Sequence, residues 1–108
     1  MSRFTEVFER LAAVVESRRG ADLAASWSAR LIADPALAAK KLAEEAVETA
    51  LAAGKGDKGE IAAESADLIY HWLVLLTACG VELDAVAAKL EAREGRSGIE
   101  EKASRPGG

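Results

Sequence analysis

The stretch Glu44-Glu45-Ala46-Val47-Glu48, followed by an apolar helix end, the turn Gly54-Lys55-Gly56-Asp57 and then Glu64-Ser65-Ala66-Asp67, decides how the chain folds. Residues three or four apart share one face of an α-helix, so Glu45 and Glu48 project together, as do Glu64 and Asp67. With the first helix ending near Ala53 and the second starting near Lys58, Glu48 lies five residues before the turn and Glu64 six after it. Glu45 and Asp67 lie eight and nine away. The mismatch is roughly 1.5 Å of helix rise, so antiparallel packing brings all four carboxylates to nearly one level. Unpaired, they would repel and raise each other's pKa. A hard divalent cation relieves that repulsion, and oxygen-only ligation points to Mg²⁺, with Mn²⁺ also suited.

The second of these helices shows why the carboxylates need a partner. Between Ile61 and Val81 the only charged residues are Glu64 and Asp67, and the segment is apolar nearly all round. Such a helix belongs inside a bundle or a dimer, where carboxylates rarely stand without a cation. No lysine or arginine shares the segment, which favours a metal over a structural ion pair. The helix opens at Asp57 with Glu60 three residues on, the pattern of a capping box with Asp in place of Ser or Thr, and Gly80 closes it.

Upstream, Asp34-Pro35 places an N-cap and a proline at N1 of the acidic helix, which runs to about Ala53. Lys40 and Lys41 sit one turn before the glutamates, placed to pair as Lys40 with Glu44 and Lys41 with Glu45, or to line the same cavity. Ser26 caps a short helix over Trp27 to Ala33, and Ala21 to Ala25 bridges back to a first helix. In that helix Phe4, Val7, Phe8, Leu11, Val14 and Val15 recur at helical spacing, and Arg18-Arg19-Gly20 ends it. Leu83, Val86 and Leu90 define a last amphipathic helix closing at Gly95, and a polar tail follows from Arg96 to Gly108. The expectation is an all-α bundle of four to five helices in one domain, residues 1–95, with residues 96–108 as a tail lacking regular structure. A chain of 108 residues with so apolar a helix is expected to complete its core as a homodimer.

Composition narrows the function. Half the residues are hydrophobic but aromatics are few, which suits closely packed helices over a β-sandwich. A net charge of −4 gives no basic footprint for a nucleic-acid polymer. The single cysteine, Cys79, and single histidine, His71, leave no intrachain disulfide and no Cys/His zinc cluster. The first residues lack the apolar core of a signal peptide, and the run Leu68 to Val81 is shorter than the ~20 residues that span a bilayer. A cytoplasmic protein without a membrane partner is expected.

The wider pattern resembles a known family. Glu-Glu-x-x-Glu, a turn and Glu-x-x-Asp are similar to the metal signature of the MazG-like all-α nucleoside triphosphate pyrophosphatases. Ser26-Trp27-Ser28-Ala29-Arg30-Leu31, Lys40-Lys41, and Ala66-Asp67-Leu68-Ile69-Tyr70-His71 narrow the resemblance to the phosphoribosyl-ATP pyrophosphohydrolases of histidine biosynthesis, as does the tail Arg96-Ser97-Gly98-Ile99-Glu100-Glu101-Lys102-Ala103-Ser104-Arg105. Ser28 and Arg30 stand where threonine and lysine are expected, and Glu82 where a serine cap is usual.

The resemblance implies Mg²⁺-dependent hydrolysis of the α–β phosphoanhydride of 1-(5-phosphoribosyl)-ATP, giving 1-(5-phosphoribosyl)-AMP and pyrophosphate, the second step of histidine biosynthesis. Glu45, Glu48, Glu64 and Asp67 would hold the metal, and Glu44 or Glu48 would take the proton from the attacking water. Lys40, Lys41 and Arg30 would offset substrate charge, and Trp27 or Tyr70 would stack on adenine. His71, one turn after Asp67, would serve as a hydrogen-bond partner of the metal ligands or as a substrate contact. The cyclohydrolase fused to this activity in many organisms uses cysteines and histidines for its metal, so it is expected as a separate chain.

Three other readings share some of these residues. A general (deoxy)nucleoside triphosphate pyrophosphatase would use the same carboxylates. A non-catalytic helical interaction protein would use the apolar faces alone. A di-iron carboxylate bundle calls for Glu-x-x-His, whereas His71 follows Asp67 by four residues.

Overall fold

In a computed structural model, described here over residues 2–95, the chain forms five α-helices, with no strand among the described residues. They are α1 (Arg3–Ser17), α2 (Trp27–Ile32), α3 (Pro35–Lys55), α4 (Lys58–Cys79) and α5 (Leu83–Glu91). The tail from Arg96 onward, and with it the expected boundary at residue 95, borders or lies outside the described residues.

Side-chain caps set most of the helix starts. Ser2, Ser26, Asp34 and Asp57 each accept a hydrogen bond from the backbone N–H three residues on. Glu82, where a serine cap was expected, opens α5 without a side-chain cap bond. The capping box at α4 is only half formed. Asp57 caps the Glu60 N–H at 3.1 Å, but the Glu60 carboxylate turns to Lys55 Nζ, also at 3.1 Å, across the α3–α4 turn. The acidic helix also runs two residues beyond its expected end. Gly54 stays helical, and Gly56 takes the left-handed conformation (φ 74°) that terminates α3. The connection to α4 is correspondingly tight.

The core is built where α1, α2, α3 and α4 meet, from Val15, Leu31, Ile32, Ala38, Leu73 and Val74, with Phe8, Leu11, Ile69 and Trp72 packed around them. Phe8 leans on Trp72 with ring centroids 6.4 Å apart. Only part of the apolar pattern of α1 turns inward: Phe8, Leu11 and Val15 do, whereas Phe4, Val7 and Val14 are exposed. α4 is the hub, packing on α1, α2 and, most extensively, α3. Its 22 residues are, by length and composition, apolar enough to cross a membrane, although the shorter run Leu68 to Val81 alone is not. Three helices pack against it and two carboxylates interrupt its middle, which is the pattern of a bundle's central helix. Within one chain only its Leu73 and Val74 are fully covered.

Candidate metal centre

The α3–α4 pair sets the geometry of the acidic site. On α3, the face carrying Leu37, Ala38, Leu42, Glu45, Thr49 and Ala52 is the more buried one, so Glu45 is directed toward α4 while Glu44 and Glu48 are exposed beside it. On α4, Ile61, Glu64, Ser65 and Leu68 are half-buried and Asp67 is exposed. One carboxylate oxygen from each of Glu45, Glu48 and Glu64 lies within 4.8 Å of the others. Three of the four expected ligands therefore converge across the helix pair. Asp67 lies outside this compact set. Its side chain is a methylene shorter than glutamate and it stands one turn farther along α4, yet its charge still acts on both Glu45 and Glu64.

Electrostatics at this point oppose full ionisation of the clustered carboxylates. Glu64 is pushed up from an ordinary 4.5 to about 7, first because its carboxyl shares a hydrogen bond with that of Glu48, then through burial, then through the charges of Glu48, Glu45 and Asp67. Glu45 is also raised, by burial first and then by the charges of Glu48 and Asp67, with His71 acting in the opposite sense. The Oε2 atoms of Glu45 and Glu64 are shielded from solvent and have no hydrogen-bond partner. Such unsatisfied buried oxygens are costly unless something ligates them. The all-oxygen donor set fits a hard divalent ion such as Mg²⁺ or Mn²⁺.

The remaining candidates fall around this cluster. Glu44 is outside it, held by Lys41 at 3.4 Å. This pair replaces the expected Lys40–Glu44 and Lys41–Glu45 pairs, and Lys40 is exposed one residue away. His71 donates from Nδ1 to the Asp67 carbonyl at 2.8 Å, which fixes the proton on that nitrogen and leaves Nε2 available. Trp27 is 48 % exposed at the start of α2. Arg30 is exposed, and its Nε donates to the Leu23 carbonyl at 2.6 Å, so the guanidinium is anchored to the α1–α2 connection. Tyr70 is half-buried, edge-on to His71 with centroids 4.9 Å apart and hydrogen-bonded through its hydroxyl to Ser28. That last contact was not legible beforehand. The only hint in the sequence was a hydroxyl residue in the Trp27-Ser28 motif.

Comparison with known proteins identifies the family. The phosphoribosyl-ATP pyrophosphohydrolase family matches residues 8–94, which takes in α2, the whole α3–α4 pair and α5. The chain belongs to this family. A phosphoribosyl-ATP pyrophosphatase of Caulobacter vibrioides (strain NA1000 / CB15N) is 64% identical over 103 residues, covering 95% of this chain and 96% of its own length. One from Caulobacter sp. (strain K31) is 61% identical over 106 residues, covering 98% and 99%. One from Methylobacterium radiotolerans is 59% identical over 96 residues, covering 88% and 90%. Family members thus align along nearly the full length, not over the acidic motif alone.

Proposed function

We infer that the protein is a phosphoribosyl-ATP pyrophosphohydrolase. It hydrolyses the α–β phosphoanhydride of 1-(5-phosphoribosyl)-ATP to 1-(5-phosphoribosyl)-AMP and pyrophosphate, the second step of histidine biosynthesis. The observation that carries this reading is the near-full-length identity to named phosphoribosyl-ATP pyrophosphatases, joined to the three-carboxylate cluster on α3 and α4.

Glu45, Glu48 and Glu64 are the residues that would hold Mg²⁺, with Asp67 one turn away to complete the set. When bound, the ion would neutralise phosphate charge and acidify a water. The chain's own residues account for the rest. Glu44 shares a shallow groove with Ala43, Val47 and Glu48. Outside the compact cluster, it is the carboxylate left to take the proton of the attacking water, which adds oxygen to the α-phosphorus as the bond to the β-phosphate oxygen breaks. Lys41, held against Glu44, and Lys40 beside it supply positive charge near the phosphates, and the terminal nitrogens of Arg30 add to it. Half-exposed Trp27 offers the open aromatic face for adenine. His71, tethered to the Asp67 carbonyl, steadies the α4 side of the site.

The working unit is read as a homodimer. Val47 and Leu51 on α3 are 59% and 63% exposed beside Glu48, and α4 leaves most of its apolar surface only partly covered within one chain. A second copy would cover both. On this reading the enzyme is cytoplasmic, with neither a nucleic-acid polymer nor a membrane as partner. Measuring pyrophosphate release from phosphoribosyl-ATP beside a panel of nucleoside triphosphates, with and without Mg²⁺, tests the substrate. Faster turnover of dUTP, dCTP or another simple triphosphate would make the protein a general nucleotide pyrophosphatase instead.

A further inference from the structure

α2 is six residues long, too short to hold its own conformation, so its orientation comes from what it touches. Ala29, Leu31 and Ile32 fix its apolar side in the core. Burial of these three side chains sets which side of α2 turns inward and leaves the finer angle of its first turn to polar contacts. Two side-chain bonds set that angle: Arg30 Nε donates to the Leu23 carbonyl in the adjoining connection, and the Ser28 hydroxyl hydrogen-bonds to the Tyr70 hydroxyl on α4, joining positions 42 apart in sequence. Tyr70 is itself held from two sides, with its hydroxyl on Ser28 and its ring edge-on to His71, whose Nδ1 is bound to the Asp67 carbonyl. A continuous chain of contacts therefore runs from α2 through Tyr70 and His71 to Asp67. Tyr70 lies six residues beyond Glu64, or about 9 Å along the axis of α4. The first turn of α2, with Trp27 next to Ser28, therefore meets α4 about two turns beyond Glu64.

We propose that Ser28 and Tyr70 form a positioning pair that fixes Trp27 and Arg30 on α2 relative to the carboxylate cluster, so that Tyr70 acts through its hydroxyl and not as a stacking surface for the base. The proposal rests on the functional reading above, since it takes Trp27 and Arg30 to meet the nucleotide. The pair selects where the adenine and ribose end of the substrate lies and leaves the phosphoanhydride chemistry to α3 and α4. Its loss acts on substrate capture more than on turnover.

The test uses the full-length protein and five variants: Ser28→Ala, Ser28→Thr, Tyr70→Phe, Tyr70→Leu and the Ser28→Ala/Tyr70→Phe double variant. KM and kcat for phosphoribosyl-ATP are measured beside calorimetric titrations with ATP, which read binding without turnover. Ser28→Ala and Tyr70→Phe should each raise KM and the ATP Kd roughly three- to tenfold, the range expected for one neutral hydrogen bond, with kcat within about twofold of the parent. The double variant should be no worse than either single one, because both remove the same contact. Ser28→Thr should restore the parental values. Unchanged KM and Kd in both single variants, additive losses in the double variant, or a silent Tyr70→Phe beside a damaging Tyr70→Leu would each overturn the proposal. If the parent protein fails to release pyrophosphate from phosphoribosyl-ATP, the substrate reading falls, and the ATP titrations still decide the pair.

Discussion

Replacing Glu64 by Gln tests the metal centre most directly, because it keeps the side chain's shape and removes one of three converging charges. In the metal-free protein Glu64 is the carboxyl most strained by its neighbours, pushed up to about 7 by Glu48, burial, Glu45 and Asp67. Without Mg²⁺ and above pH 7, Glu64→Gln should therefore melt at or above the parental temperature. With Mg²⁺ the order should reverse. At a concentration 100 times its Kd, the ion stabilises the parent by about 2.7 kcal/mol through mass action. Loss of a ligand weakens metal binding by at least about tenfold, the lower bound seen even for outer partners of a metal site. At that same concentration the variant then gains only about 1.4 kcal/mol, which halves the Mg²⁺-induced rise in Tm. Glu60→Gln is the control: one turn earlier on the same helix, its carboxylate meets exposed Lys55 and no member of the cluster. It should lose at most about 1 kcal/mol and keep its full Mg²⁺ response. Thermal melts over a Mg²⁺ titration, with turnover measured in parallel, decide the matter. Equal Mg²⁺ responses in parent and Glu64→Gln, or equal losses in the two variants, would show that the metal is not held where α3 and α4 converge.

The same groups predict a pH dependence. Because the folded pKa of Glu64 lies above its ordinary 4.5, the folded metal-free protein binds the extra proton between about 4.5 and 7, and stability from this group should fall as pH rises through that window and level off above it. Saturating Mg²⁺ should flatten or reverse the trend, and the apparent Mg²⁺ affinity should weaken as pH drops below about 7; melts at pH 5 and 8 with and without the ion read both effects. Excess EDTA should abolish pyrophosphate release, and activity that persists would remove the metal-dependent mechanism. Asp67→Asn should lower Mg²⁺ affinity less than Glu64→Gln does, since Asp67 lies outside the compact set, and a loss equal to or larger than that of Glu64→Gln would place it inside. Light scattering should return a dimer at micromolar concentration, and Leu51→Glu, which puts a charge in the exposed apolar stripe beside Glu48, should shift it toward monomer; a parental protein that is monomeric at that concentration would dismiss the dimer.

Helix ends and the main acidic face could be read from the chain because each rests on local chemistry. Asp34 before Pro35, Asp57 three residues before Glu60, and Gly80 after an apolar run admit few alternatives to caps and a stop. The end of α3 was less legible. Two glycines stand in its turn, and a glycine within a helix costs only about 1 kcal/mol against alanine, so sequence alone does not say that Gly54 continues the helix while Gly56 ends it. Convergence of Glu45, Glu48 and Glu64 was expected and is observed despite that two-residue error. The packing of α3 on α4 sets the register, with Ala38 and Ala52 buried along the α3 face that carries Glu45.

What sequence could not supply were contacts whose partners are distant in the chain or whose geometry turns on one bond. The Lys41–Glu44 pairing at three residues, in place of pairings at four, is a choice between rotamers of nearly equal energy, since exposed pairs at either spacing contribute only a few tenths of a kcal/mol. Asp67 carries the same charge as Glu64 and shares its helix face, but one fewer methylene and one more turn keep it out of the compact set. Ser28 and Tyr70 are each unremarkable alone; only the docking of α2 on α4 makes them partners. The two kinds of information therefore divide the enzyme in a physically sensible way. Carboxylates that converge across the helix pair are written as a helical repeat, because every turn of α3 and α4 reinforces the register. Placement of the substrate's nucleoside end depends on a six-residue helix whose side-chain hydrogen bond to α4 runs through Ser28 and Tyr70, so small substitutions on α2 are where specificity within this fold should be easiest to alter.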